Sequence, residues 1–426
     1  MTNAQSQPGA EQILSFEDAQ RLVLKHADAV RAGGLSVEQV PILDSLRRTI
    51  AEDILADRDF PPFPRATRDG YAVRSEDLQN LPALLRVVGQ IRAGGTLPAG
   101  FESLQSGQAI SIMTGAPVPA GADAVVMVEH TARTEDRVRI LRSAVRGENI
   151  VPRGSEAKAG SHLIERGTRI SHPHVALAAS AGKTAVKVFV QPAIAILPTG
   201  DEVVPVDSAP EENQIRNSNS FSLAAQVIAA GGKPVQLPIA PDEPGRLREL
   251  VRQGLESDLL LLSGGVSAGE YDLVEDVLAE FAAEFLFTGV QIQPGKPLVF
   301  GRARADRSRE DWTYFFGLPG NPISTMVTFE LFASIMVRAL SGAAPKSLKG
   351  VSVRLAQELR VKTGLTRFLP AHLIGDLLDA KVEPVRWQGS GDIAAFARAD
   401  CLLVVPPDRE CFKSGEWITV LPLANS

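Results

Sequence analysis

The chain has no run of more than two consecutive basic residues, and its formal net charge is −6. Proteins that work on DNA or RNA carry a clustered basic surplus, so nucleic acid is excluded as a natural partner. The acidic balance also means that an anionic ligand must be held locally, by backbone N–H groups, a few Lys or Arg side chains and a metal ion. Cysteine is almost absent. Cys401 and Cys411 are the only two, and their spacing matches no zinc pattern. They read as free buried thiols, with a disulfide as the alternative. The opening MTNAQSQPGA is polar and lacks an apolar signal core. No uncharged apolar run approaches the roughly 18 residues a membrane helix requires. A soluble, cytoplasmic protein without a membrane partner is the expectation. The six histidines are scattered, and only His172 and His174 lie close together, without ligand-like spacing. Repeats and low-complexity segments are also missing.

What is present is enough chain for several cores. At roughly 100–200 residues per domain, 426 residues make two to four domains. The hydrophobic fraction of 44% and charged fraction of 22% are those of a globular protein. After a polar tail, Ser15 with Asp18 predicts a capped helix carrying Leu22, Val23, His26, Ala27 and Val30, closed by Gly33-Gly34. The spacing predicts a second helix from Val40 to Ala56. Residues 60–160 change to short apolar runs between Gly and Pro, which predicts a small all-β lobe. Residues 160–190 read as a link. From 192 to about 340, strands alternate with helices: a strand over Ala193–Leu197, a helix from about Ser220 to Ala230, a strand over Pro234–Ile239 and a helix capped by Asp242. A buried Leu259–Leu262 strand, a helix from about Tyr271, and a Tyr314–Phe316 strand leading to a helix ending near Leu340 complete the series. This alternation predicts a mostly parallel, doubly wound sheet. Val351–Leu355, Cys401–Val405 and Trp417–Leu421 predict a second β domain.

Ligands of open parallel sheets bind beyond the carboxyl ends of the strands. Three such ends share a composition: Pro198-Thr199-Gly200-Asp201-Glu202, then Ser263-Gly264-Gly265-Val266-Ser267-Ala268-Gly269, then Gly317-Leu318-Pro319-Gly320-Asn321-Pro322. Glycine allows close backbone approach, and helix N-termini suit phosphate or another oxyanion. Asp201, Glu202, Glu270 and Asp272 stand where they could hold Mg²⁺ between such oxygens. The alternative is ordinary turn glycine and helix capping. Gly265-Val266-Ser267-Ala268-Gly269 also satisfies the serine-hydrolase elbow pattern. Its triad needs a downstream acid and histidine, and the only downstream histidine is His372, in the C-terminal β region. Gly295-Lys296-Pro297 lacks the earlier Gly and the following Ser or Thr of a Walker A loop. Lys296 can still pair with phosphate as a point charge.

These motifs, with Thr67-Arg68-Asp69-Gly70-Tyr71-Ala72, Met113-Thr114-Gly115-Ala116-Pro117-Val118-Pro119 and Pro294-Gly295-Lys296-Pro297, stand in the order found in the molybdopterin molybdotransferases, the MoeA family that includes the E domain of gephyrin. The resemblance spans nearly the whole chain. It implies an α/β multidomain fold: an N-terminal helical and linker domain (1–60 plus 158–190), a β lobe (61–157), a central doubly wound, MogA-like domain (191–342) and a C-terminal β-barrel-like domain (343–426). It implies insertion of molybdate into adenylylated molybdopterin, release of AMP and formation of the molybdenum cofactor, with Mg²⁺ assisting. It implies a homodimer in which Asp69 and Thr114 serve the partner's cleft. A molybdopterin-adenylylating enzyme and recipient molybdoenzymes would be further partners.

By the same resemblance, Asp69, Thr114, Glu202, Asp242, Glu270, Asp272 and Lys296 are the catalytic set. Glu202, Glu270, Asp272 and Glu156 are the metal ligands. Thr199, Gly200, Asp201, Ser263, Gly264, Gly265, Ser267, Gly269, Pro319, Gly320, Asn321 and Ser390 contact the pterin substrate. Three positions depart from the family pattern. Arg68 replaces a Met, Gln293 stands for a Lys, and Leu365 stands where the family has Arg, with Arg367 or Arg68 able to restore the charge. These departures leave a second reading open, a non-catalytic or divergent pterin-binding scaffold.

Overall fold

The structure is a computed structural model that describes residues 12–96, 100–265, 273–306 and 311–423. The chain forms two compact units. One comprises residues up to 39, 47–51 and everything from 187 onward. The other comprises 40–46 and 52–186.

The larger unit is organised around a six-stranded sheet. Its order is Lys233–Gln236, Ala193–Pro198, Leu259–Ser263, Thr313–Leu318, Val299–Ala303 and Glu284–Phe287. The first four strands are mutually parallel; Val299–Ala303 runs antiparallel to both its neighbours, so Glu284–Phe287 points the same way as the first four. Successive side chains of a strand face opposite sides, and the sequence uses both. Ile194, Ile196, Leu259, Leu261 and Phe316 share a core with the helices Phe16–Ala32, Asn219–Ala230 and Pro322–Leu340. Ala195, Leu197, Leu260, Leu262 and Phe315 pack on Leu247, Leu250 and Val251 and on Val274, Val277 and Leu278 of the opposite-face helices. Leu259 to Leu262 are all fully buried. That is why the strand is a continuous apolar run rather than an alternating one.

Pro322–Leu340 has a mean hydropathy of 1.5 and is long enough to cross a bilayer, but 78% of that window is buried inside the protein. It is a core helix, with a π turn over Phe329–Ala333.

The C-terminal β region of the same unit is a closed five-strand barrel. Thr366–Ile374 pairs with Lys381–Pro384, which pairs with Val351–Leu355. The circuit then runs through Trp417–Pro422 and Cys401–Val405 back to Thr366–Ile374. Val353, Leu355, Ala371, Val382, Leu403, Val405 and Ile418 fill it. Closure leaves no unpaired edge among these strands. Both cysteines are free, but only Cys401 is buried; Cys411 is half-buried at the end of a short strand.

The smaller unit holds a six-stranded sheet in the order Ala124–Met127, Gly70–Val73, Gln108–Ile112, Ala83–Ile91, Arg137–Ile140 and Thr131–Thr134. Tyr71, Val73 and Val126 face one core; Ala72, Ile110 and Val125 face another. At Gly70 any Cβ would lie 1.9 Å from the Val126 carbonyl oxygen, so only glycine fits between the two strands.

Three local expectations fail for physical reasons. The predicted helix over 40–56 is a short 3-10 turn, Ile42–Ser45, followed by Arg47 at φ 66° and a strand at Ile54–Leu55. Ser45, Ile50 and Ile54 are buried while Leu43 and Leu46 are exposed, so the segment does not bury one helical face. The 160–190 link contains a helix, His172–Ser180, whose capping box joins Ser171 and His174; the Ser171 Oγ···His174 Nδ1 distance is 2.8 Å. The one close histidine pair therefore starts a helix. Asp242 does not cap the helix Pro244–Gly254. Glu243 occupies the cap position, without a side-chain bond.

Candidate functional site

The three glycine-bearing strand ends meet at the carboxyl edge of the parallel sheet. The Thr199 N–H donates to the Ser263 carbonyl at 3.0 Å, and the Gly264 N–H donates to the Leu318 carbonyl at 3.2 Å. Gly264 and Gly265 lie at φ 94° and 64°. A Cβ on Gly264 would meet the Thr199 oxygens at 2.8 and 3.1 Å, and one on Gly265 would meet Thr199 Oγ1 at 2.8 Å. The glycines let one loop fold directly over the next. A Cβ on Gly320 would stand 3.6 Å from Gly264 Cα, so the third loop joins the same contact.

A residue missed by sequence reasoning ties the loops together. Asn219 opens the helix Asn219–Ala230, and its Nδ2 donates to Ser263 Oγ at 2.9 Å and to the Gly320 carbonyl at 2.8 Å. Its only sequence signal was an amide at a helix start, which reads as a cap. Two polar atoms at this junction, Thr199 Oγ1 and Asn219 Oδ1, are buried without a hydrogen-bond partner among the described residues. Buried polar atoms are rarely left so unless a ligand or water completes them.

The helix N-termini contribute less than expected. The Ile323 N–H, in the first turn after Asn321, donates to the Ser390 carbonyl at 2.9 Å. The Ser220 N–H is taken by Asn217 Oδ1 at 3.1 Å. Ser390 thus meets the site's edge through its backbone. Thr325 Oγ1 binds the Pro319 carbonyl, fixing the turn that carries Gly320 and Asn321.

Negative charge concentrates on one flank. The Asp242 N–H donates to Asp201 Oδ1 at 3.0 Å. Gly200, at φ 124°, makes room for the Glu202 carboxylate, which would lie 2.5 Å from any Cβ there. Partial burial, then the charges of Asp201 and Glu202, raise the Asp242 pKa above its ordinary value. Crowded carboxyl oxygens are the donor chemistry that hard divalent cations prefer. Among the described residues, however, no three acidic or histidine side chains already converge as metal ligands. Glu270, Asp272, Ser267 and Gly269 lie outside the described residues. Glu156 belongs to the smaller unit and is held by Arg65 at 2.9 Å.

Lys296 is exposed in the loop before the Val299–Ala303 strand. Its neighbour Gly295, at φ 102°, packs so closely on Thr328 that a Cβ would be 2.3 Å from the methyl. Gln293 and Arg367 are register partners, joining the short Ile292–Gln293 strand to the barrel, and Arg367 Nε donates to the Lys362 carbonyl at 2.9 Å.

In the smaller unit, Asp69 and Thr114 come together. Asp69 Oδ1 accepts from the Thr114 N–H at 2.7 Å and from its hydroxyl at 2.9 Å. These two bonds hold the exposed Asp69 carboxyl below its ordinary pKa.

An α/β domain with glycine-lined strand ends, a β lobe and a closed barrel define a multidomain architecture that solved structures share. The molybdopterin biosynthesis MoeA protein from Pyrococcus horikoshii OT3 superposes with a TM-score of 0.76 at 27% identity, covering 97% of this chain and 100% of that one. A second structure of the P. horikoshii protein gives a TM-score of 0.69 at 30% identity, covering 96% and 99%. Three family models match in order: the MoeA N-terminal region (domains I and II) over residues 14–182, a probable molybdopterin binding domain over 195–339, and the MoeA C-terminal region (domain IV) over 352–423. The molybdopterin molybdenumtransferase of Nostoc sp. is 34% identical over 392 residues, 88% of this chain and 86% of the relative. That of Bacillus subtilis is 34% identical over 397 residues, 90% and 89% respectively. The chain belongs to the MoeA family.

Proposed function

We propose that this protein is a molybdopterin molybdenumtransferase that inserts molybdate into adenylylated molybdopterin and releases AMP. The observation that carries the reading is the junction of three glycine-bearing strand ends, locked by Asn219, beside the Asp201–Glu202–Asp242 group. Relatives named molybdopterin molybdenumtransferase support the transfer of molybdenum to molybdopterin. Substrate and molybdate are both anions. The buried Thr199 hydroxyl and the close-packed Gly264–Gly265 turn bind and orient the phosphoryl group, and Lys296 adds a positive charge. Glu202, with Glu270 and Asp272, would hold Mg²⁺, which would supply charge neutralisation of the anions. The Asp242 backbone N–H is held by Asp201, which keeps Asp242 next to Asp201 and Glu202. Glu156, already paired with Arg65, takes a structural part. The protein acts in the cytoplasm as a homodimer, and the Asp69–Thr114 pair of one subunit completes the partner's cleft. It receives substrate from an adenylylating enzyme and passes product to molybdoenzymes.

The test is incubation with adenylylated molybdopterin, molybdate and Mg²⁺. AMP and active cofactor are the expected products, and Glu202→Ala is expected to lose most of this turnover. Full turnover by Glu202→Ala removes that residue from the chemistry. One observation favours a second reading: Gln293 and Leu365 stand where positive charge would serve an anion, and Arg367 is engaged with a backbone carbonyl. Tight molybdopterin binding without AMP release would make the protein a pterin-binding scaffold instead.

A further inference from the structure

In the smaller unit, Ala83–Ile91 pairs antiparallel with Arg137–Ile140, and Thr131–Thr134 closes that side of the sheet as its edge strand. Ala83, Leu85, Val138 and Ile140 are buried in one core. Side chains alternate along a strand, so the residues between them face the other way. Those residues are Leu84, Arg86, Arg137 and Arg139, and all four are exposed. Leu84 is 54% exposed, and Leu141, next in the outward row after Arg139, is 51% exposed. The register sets Arg86 directly opposite Arg137 and Leu84 directly opposite Arg139. Three guanidinium groups and two leucines thus share one solvent-facing side of the sheet, on a chain whose net charge is −6.

Like charges directly across a strand pair destabilise it. No ion pair among the described residues involves Arg86, Arg137 or Arg139; the nearby pairs join Arg65 to Glu156, Arg74 to Glu76 and Arg153 to Asp59. Glu135 and Asp136 precede Arg137 in the turn and are exposed, yet neither pairs with the three arginines. The face therefore lacks its electrostatic complement among the described residues of its own chain. It is also distinct from the Asp69–Thr114 pair. Arg86 is the register partner of Gln108, which begins the Gln108–Ile112 strand, whereas Thr114 follows the end of that strand.

We propose that this face docks a partner protein through an extended acidic segment, with carboxylates on alternate residues followed by large apolar side chains. Arg137 and Arg139 stand two residues apart on one strand. A strand laid along them repeats its own side chains at the same interval. The planar fork of arginine takes a carboxylate through two parallel hydrogen bonds. Leu84 and Leu141 then cover the apolar side chains that follow. A nucleic acid fits less well, because none of these face residues is an aromatic ring on which bases stack, and the acidic chain around the face repels a long polyanion.

The experiment titrates the full-length protein against the fluorescently labelled peptide Glu-Thr-Glu-Thr-Leu-Thr-Leu and reads anisotropy. A peptide with Lys in place of Glu, a single-stranded oligonucleotide and phosphatidylserine vesicles are run beside it. We expect the acidic peptide to bind saturably, about tenfold or more weaker in Arg86→Glu and in Arg139→Glu, and more weakly as salt is added. The lysine peptide is expected not to bind. Arg86→Glu is expected to melt no lower than wild type, because it turns a like-charged cross-strand pair into an opposite one. The proposal is overturned if the acidic peptide does not bind, or if both variants bind it as wild type does. It is also overturned if the oligonucleotide or the vesicles bind more tightly through the same arginines. AMP release is expected to be equal in wild type and variants; its loss in the variants would place the arginines in the catalytic cleft and overturn the proposal. Peptide binding that responds to the arginines, in a protein that releases no AMP, keeps the docking surface and rejects the transferase reading.

Discussion

At the scale of single residues, the two acidic positions Asp69 and Asp242 behave oppositely. Thr114 donates twice to Asp69, its N–H bond being the larger influence, and depresses its pKa in the folded state. A carboxyl with a depressed folded pKa contributes stability that is present above its unfolded value and lost as pH falls through the folded one. Thr114→Val should therefore move the Asp69 titration upward, toward the ordinary value near 3.8, as read by carboxyl NMR. Loss of the hydroxyl bond without any movement would mean the backbone bond alone sets it. Asp242 is raised, first by partial burial and then by Asp201 and Glu202. Its cost to the fold is absent below the unfolded value and present above the folded one. At pH 7 without divalent cation, Asp242→Asn should melt higher than wild type while turning over more slowly. A lower melting point would show that its charge stabilises the loop. Burial pushes the Cys401 thiol up to about 12. It should resist alkylation in the native protein at neutral pH, because the thiolate is the reactive form.

At the scale of elements, the site depends on how three loops are clamped. Asn219→Ala removes donors to Ser263 and Gly320 and should cost about 1–2 kcal/mol in urea denaturation of the α/β domain. As a positioning residue it should lower the insertion rate constant and leave the native circular dichroism spectrum unchanged. Gly264→Ala adds left-handed strain and a collision with Thr199. It should cost about 1–3 kcal/mol. Much of this element level was legible in the sequence. Leu259–Leu262 announced a strand buried on both faces, and Ser15 with Asp18 announced the first helix, where the Ser15 hydroxyl accepts from the Asp18 N–H. Asn219 was not legible, because its partners lie 44 and 101 residues away and no local pattern encodes such a contact. The false helix over 40–56 failed for the complementary reason. Its periodicity was local, and Leu43 and Leu46 stay exposed. Asp242 read as the cap of the following helix, but its backbone N–H is held by Asp201, a contact across 41 residues.

At the scale of the whole molecule, barrel closure and the α/β core share one seam. Phe368, on a barrel strand, is fully buried, and Phe16 of the first helix packs edge-on against it with centroids 5.0 Å apart. Phe368→Ala should cost about 3–5 kcal/mol and loosen both parts together. Separate, unaffected melting of the α/β domain would contradict that coupling. The order of motifs made the multidomain α/β fold readable, whereas the closing pair between Thr366–Ile374 and Cys401–Val405 emerges only in three dimensions.

The central claim is that the glycine junction and its acidic flank transfer molybdenum to an adenylylated pterin. The most direct measurement is AMP released per molybdenum incorporated, followed in one reaction with molybdate and Mg²⁺ by wild type and Glu202→Ala. The account predicts a one-to-one ratio for wild type and a large loss of both signals in the variant. Stoichiometric pterin binding with no AMP from wild type would contradict it.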